Sequence, residues 1–242
     1  MKPWFLASVL FFASASTLAL PSLASAQDDR GSHLDLDFGT DLPLSVGGSL
    51  RLELPSGFHA STGLGGLPKS YVSMINGVVV AFGGYDDATA TLVEDALQSS
   101  LVWRSHVGYI WPRGFYLDVG YTLGALAGGS STQDVLETST GLARTRDESD
   151  RRYAIESVIH LLDIEVGYQH EFLEHLVLRV AVGFAATVAS RTRVEQQFAV
   201  DNPAAQPRVD NIERASARYL DGIYTDYVHT PVLTVAIGYR FF

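Results

Sequence analysis

Residues 231–242 read PVLTVAIGYRFF. Leu233, Val235, Ile237, Tyr239 and Phe241 fall on one side of an extended chain, and Thr234, Ala236, Gly238 and Arg240 on the other. A period of two marks a strand whose faces meet different surroundings. The apolar face ends in two aromatics, and Phe242 doubles the last of them.

The same alternation recurs upstream. Leu34, Leu36 and Phe38 alternate with Asp35 and Asp37; Leu50, Leu52 and Leu54 with Arg51 and Glu53; Phe58, Ala60, Thr62 and Leu64 with His59 and Ser61. Leu101, Trp103, Ser105, Val107, Tyr109 and Trp111 oppose Arg104, His106 and Gly108. Phe115, Leu117, Val119, Tyr121 and Leu123 oppose Tyr116, Asp118, Gly120 and Thr122. Val158, His160, Leu162, Ile164, Val166 and Tyr168 oppose Asp163, Glu165, Gly167 and Gln169. Leu176, Leu178, Val180, Val182, Phe184 and Ala186 oppose Arg179, Ala181 and Gly183. With the terminal strand this makes eight.

Pro55-Ser56-Gly57, Pro112-Arg113-Gly114 and Glu171–Leu173 read as tight turns. Residues 41–46 read as a further short connection, with Pro43 unable to donate to a ladder. Residues 67–98, 127–153 and 191–226 read as long connections. In 67–98, Pro68 opens a helix through Tyr71, Met74, Ile75 and Val78, and a second spans Asp87 to Leu97 beyond Gly83-Gly84. Ten strands is the alternative, with 71–82 or 191–200 extending the sheet.

Short turns at one end and long loops at the other, on an even number of strands, are the outer-membrane barrel pattern. The chain resembles the small bacterial outer-membrane β-barrels of OmpA/OmpX-like architecture. The resemblance rests on that layout and on the terminal Tyr-x-Phe strand. It implies an all-β fold, a closed antiparallel up-and-down barrel, and a C-terminal strand read by the barrel-assembly machinery. It also implies outer-membrane lipids and lipopolysaccharide as surroundings, and a monomer. The competing reading of the aromatics is the core of a soluble β-sandwich.

Lys2, an apolar run from Trp4 to Leu20, and Ala24-Ser25-Ala26 describe a secretory signal peptide over 1–26, leaving 27–242 as the barrel. No downstream run of 18 apolar residues suggests a spanning helix. Cys is absent, which excludes disulfides, thiolate metal sites and a Cys nucleophile. Removing a signal peptide whose only charge is Lys2 takes the net charge from −10 to −11, an unfavourable balance for nucleic acid.

With the C-terminus at the periplasmic end, Tyr109, Trp111, Phe115, Tyr168, Tyr239 and Phe241 cluster there on the outward face. Trp and Tyr suit a membrane boundary, where ring and polar edge are both satisfied. The inward faces supply Asp35, Asp37, Arg51, Glu53, Arg104, Asp118, Asp163, Glu165, Arg179 and Arg240. An eight-stranded barrel is just wide enough for side chains to fill, so these charges must pair. A salt-bridged plug is the expected outcome and a narrow polar pore the alternative.

His59 with Ser61 shares a face at i, i+2, as does Arg104 with His106. A lipid A-modifying hydrolase would need a third orienting group that spacing alone does not supply. His160 and His170 read as interfacial. Asp86-Asp87 and the Asp147–Asp150 cluster match no calcium-loop spacing and read as solvated charge. No catalytic, metal or cofactor site is expected. The function expected is a structural or surface-interaction role carried by the extracellular loops, with passive passage of small or apolar solutes as the alternative.

Overall fold

The strand containing residues 231–240 pairs on one side with the strand before it and on the other with the first strand of the chain, so the sheet closes on itself and has no edge below the outer extensions of its longest strands. This computed structural model describes residues 31–81, 99–143, 151–173, 175–200 and 202–242. The strands are β1 (His33–Leu42), β2 (Ser45–Glu53), β3 (Phe58–Gly66), β4 (Ser99–Ile110), β5 (Phe115–Thr132), β6 (Arg152–Leu173), β7 (Leu176–Gln196) and β8 (His229–Arg240). They form one closed barrel in chain order, each antiparallel to its neighbours.

A single closed sheet overturns the β-sandwich alternative. The ten-strand alternative also fails among the described residues: 69–81 is helix, and residues 191–196 lengthen β7. The signal peptide, the helix over 87–97, Asp86-Asp87 and the Asp147–Asp150 cluster lie outside the described residues.

Closure satisfies every ladder group internally, the condition for crossing a hydrocarbon layer. The wall's polarity follows the pleat. Val107, Val119, Ile164, Val182 and Phe184 are exposed outward, while Asp35, Asp118, Asp163 and Arg179 are buried inward. The fold is that of outer-membrane barrels. Two tight turns hinge on glycine: Gly57 and Gly114 sit at φ 86° and 85°, where a Cβ is strained. Each closes its turn by donating its N–H, to Leu54 O and Trp111 O, both at 2.9 Å.

The strands are unequal. β1–β4 and β8 run 9–12 residues, about the length needed to span. β5, β6 and β7 run 18, 22 and 21. The sequence reading ended all three short of this, at Leu123, Val158 and Ala186, because their outer ends reverse polarity. Beyond the membrane the outward positions carry Arg152, Glu156, Arg193 and Glu195, and the inward ones carry Tyr153, Ile155, Ile159 and Val194. A register shift against His160/Leu161 leaves Val188 as an extra residue on β7, just where the outward face changes from apolar to charged.

Among the described residues, three α-helices occupy the end opposite the tight turns: α1 (Lys69–Ala81), α2 (Gln133–Thr140) and α3 (Gln206–Tyr227). The sequence placed α3 in a polar loop, yet Val209, Ile212, Ser216, Leu220 and Ile223 recur at helical spacing and are its buried face. They meet Leu136 of α2, Val72 of α1 and the inward residues Leu126, Tyr153, Ile155, Leu161 and Ala185 in one apolar core. On α1 Val72 is buried, Tyr71 is half-buried and Met74 is exposed.

Deleting Tyr239–Phe242 is expected to abolish the folded, heat-modifiable species on unboiled gels. These residues hold both seams of the barrel: Tyr239 pairs with Leu36 and Leu176, and the Phe241 N–H donates to Leu34 O at 3.0 Å. Tyr239→Ala keeps the ladder and should be milder. Normal folded levels of the truncated protein would count against a closing role for this strand.

Candidate functional site

The lumen is the site. Its lower part, toward the tight turns, is built on two guanidiniums. Arg179 donates to Asp35, Asp37 and Glu53, the last at 3.1 Å, and to Gln169 Oε1 at 3.2 Å. Arg240 donates to Asp35 through Nε at 2.8 Å and Nη2 at 2.9 Å, to Glu53 Oε2 at 3.0 Å, and to Glu171 at the rim. Such fork geometry suits Arg to several carboxylates at once.

The middle layer comprises Arg51, His59, Asp118 and Tyr116. Arg51 Nη2 donates to Asp118 Oδ2 at 3.2 Å and lies 5.2 Å over the Tyr116 ring. His59 Nε2 stands 2.5 Å from Asp118 Oδ1. In the upper layer Arg104 donates to Glu165 Oε1 at 2.6 Å and pairs with Asp41. His106 Nε2 lies 2.6 Å from Asp163 Oδ1, and Thr234 donates to Asp41 Oδ1 at 2.8 Å. Asp41 and Thr234 are members that the sequence did not single out. Asp41 sits where the inward face of β1 continues past the point at which the alternation looked finished, and Thr234 is an uncharged member of the face already read for β8.

The sequence placed Arg51, Glu53, Arg104, Asp118, Asp163, Glu165, Arg179 and Arg240 in one interior set, and the structure brings all eight into the lumen. Arg179 does not meet Asp163 or Glu165, inward carboxylates of the neighbouring strand; its cross-strand partner on β6 is Gln169. Asp163 and Glu165 lie further up β6, against Ala185 and Gly183, and are held by His106 and Arg104. Arg179 instead reaches across the lumen to β1 and β2. Glycines make room for these crossings. A Cβ at Gly238 would stand 2.1 Å from Asp37 Oδ1, and one at Gly120 2.2 Å from the His106 ring.

His106, Asp163 and Glu165 offer ligand atoms within 4.8 Å of one another. A cation's place among them is already taken by Arg104 Nη2, at 3.1 Å from His106 Nε2 and 2.6 Å from Glu165. His59 and Ser61 form no catalytic pair: His59 is buried against Asp118, and Ser61 faces His106 across the ladder without a hydrogen bond to either ring among the described residues. One cavity of about 80 Å³ lies along the β1–β3 wall, where Gly47, Ser49, Ser61 and Gly63 leave space opposite Arg51 and Arg104. At roughly 10–15 Å³ per water it suits a handful of waters. Pockets for drug-sized ligands run to about 300 Å³ or more.

On the outer wall at the tight-turn end, the aromatics interlock edge to face. Tyr109 contacts Trp111 at 5.5 Å, Phe115 contacts Tyr168 at 5.2 Å, and Tyr239 contacts Phe241 at 5.3 Å. Phe58 joins them, 5.3 Å from Tyr109. His170 stacks on Tyr168 at 6.4 Å, at the same end.

No protein-family model and no curated protein matches the chain. Among solved structures it is similar to CarO of Acinetobacter baumannii, with a TM-score of 0.35 and 11% identity over 88% of this chain and 99% of that one. It is also similar to a major outer membrane protein from Thermus thermophilus, with a TM-score of 0.40 and 14% identity over 87% of this chain and 98% of that one. At these values the likeness adds nothing to what the strand register already gives.

Proposed function

We propose that this is a closed, non-conducting outer-membrane barrel without enzymatic activity, whose role is carried by its helical extracellular cap. The observation that carries this reading is that the lumen is filled twice over. Polar side chains from all eight strands, most of them ion-paired, occupy its lower, middle and upper layers, and the apolar core of α1, α2 and α3 stoppers the outer end. A path through the barrel would have to break both. Outer-membrane lipid and lipopolysaccharide surround the wall in this reading, the assembly machinery recognises β8, and the barrel acts as a monomer.

The test is planar-bilayer recording on the purified, refolded protein. Wild type is expected to give no steady conductance steps and no swelling of liposomes in small solutes. Regular steps would favour the alternative, a narrow channel through the cavity beside β1–β3. A shift in outer-leaflet lipid mass on expression would favour a lipid-modifying enzyme. Fractionation gives the companion result: the protein should pellet with outer membranes, and recovery from the soluble periplasm would sink the reading.

A further inference from the structure

The lipid-facing wall carries polar groups that the lumen does not use, and among them one pair is incompletely bonded. On β5 and β6, Tyr121 Oη and His160 Nδ1 approach to 2.5 Å on the outward face. Their outward neighbours are Val119, Leu123, Val158 and Leu162, and Ser105 of β4, paired with Tyr121 across the ladder, gives its hydroxyl proton to Thr62 Oγ1 at 3.1 Å. Trp103 stands beside them on β4, its ring 6.0 Å from Tyr121, and its own N–H goes to Thr62 Oγ1 at 2.9 Å. A polar pair in such a wall is costly unless its hydrogen bonds are completed.

Counting protons shows that they are not. A neutral imidazole carries one N–H and a phenol one O–H. Their mutual bond uses one of these, whichever atom donates. The other donor is left over: Ser105 beside it is spent on Thr62, the remaining neighbours are apolar, and neither side chain makes a further hydrogen bond among the described residues.

Depth identifies what can meet it. Tyr121 is six residues up β5 from Phe115, and His160 eight residues up β6 from Tyr168. At about 3.3 Å per residue and a tilt near 40°, they lie roughly 15 and 20 Å above the aromatic ring, in an apolar band about 25 Å tall. That is the outer half of the band, just below the register shift at Val188 and the charged positions Arg191 and Glu156. Chain carbons fill this depth, and the first hydrogen-bond acceptors above them are the carbonyls that link acyl chains to a headgroup.

We propose that Tyr121 and His160 together hold the acyl-linkage carbonyl, ester or amide, of an outer-leaflet lipid against the wall. The proposal rests on the reading of this wall as lipid-facing. A headgroup phosphate is not the occupant, because the pair lies below the charged positions and supplies one donor rather than a cationic cluster.

Ether lipids lack the carbonyl and keep the chains and headgroup. Wild type and the double variant Tyr121→Phe/His160→Leu would be refolded into diacyl and dialkyl phosphatidylcholine vesicles and unfolded reversibly in urea. Wild type should show an unfolding equilibrium constant about fivefold lower in the diacyl lipid, the size of one hydrogen bond. The double variant should show equal constants in the two lipids. Tyr121→Phe alone keeps the imidazole N–H and should retain much of the difference, which a merely packing role would not predict. If wild type and double variant respond identically to the change of linkage, the proposal is overturned while the barrel reading stands. If wild type inserts in neither lipid, by unboiled gel shift, the lipid-facing reading falls and takes the proposal with it.

Discussion

Phe184→Arg is expected to destabilise the folded barrel by about 2–4 kcal/mol, the cost of Arg at a lipid-facing midplane position. Phe184 is outward and 48% exposed, paired with Ile164 on β6 and Pro231 on β8. Four residues above Val180, whose cross-strand partner is Tyr168 of the aromatic ring, it lies roughly 10 Å into the band at about 3.3 Å per residue along a tilted strand, near the middle. A guanidinium there has no water within easy reach and no carboxylate on its face. The cost should depend on depth. Ala189→Arg, on the same strand beyond the register shift and beside charged Arg191, should cost about 0–1 kcal/mol. Reversible unfolding in vesicles measures both. Equal effects at the two positions would mean that this wall does not meet a hydrocarbon layer.

That depth contrast also explains what could be read from sequence. Within the band the pleat separates hydrocarbon from an ionic lumen, so apolar and polar residues alternate cleanly and a one-residue slip would exchange the faces. Strands such as 176–186 are therefore legible, with each side chain's direction. Beyond Val188 water lies outside and an apolar core inside. The alternation persists through Tyr153, Ile155, Ser157 and Ile159 but with inverted sense, and the charged outward residues make it look like a loop. α3 was hidden in a similar way. Its apolar stripe at Val209, Ile212, Leu220 and Ile223 is regular, but Pro203, Pro207 and the intervening charges dominate a composition-based view. Membership of the lumen follows from the pleat alone. Who pairs with whom does not, because partners such as Arg179 and Asp35 are 144 positions apart and meet only through barrel closure and strand stagger.

Arg179→Ala should therefore act through residues that are distant in sequence. Arg179 is 2% exposed and holds three carboxylates, Asp35, Asp37 and Glu53, of which Arg240 reaches only Asp35 and Glu53. Removing it leaves Asp37 with Arg51, whose Nε stands 4.0 Å away, as its remaining cation. Breaking a buried pair from one side costs about 3–5 kcal/mol, because the abandoned charge stays buried. Lost packing would also destabilise, so the two causes have to be separated. If the abandoned charge dominates, Arg179→Ala/Asp37→Asn should recover a substantial part of the loss, since the amide leaves one charge fewer stranded. If lost packing dominates, the second substitution should add to the damage. Arg179→Lys keeps the charge but loses the fork that spans Asp35 and Asp37, and it should fall between wild type and Ala. Reversible unfolding of wild type, Arg179→Ala, Asp37→Asn and the double variant gives the coupling between positions 179 and 37 directly. A coupling near zero, with Arg179→Ala costing less than about 1 kcal/mol, would mean that the lumen charges are individually hydrated rather than paired, and that the barrel is wetter than its ion-pair geometry implies.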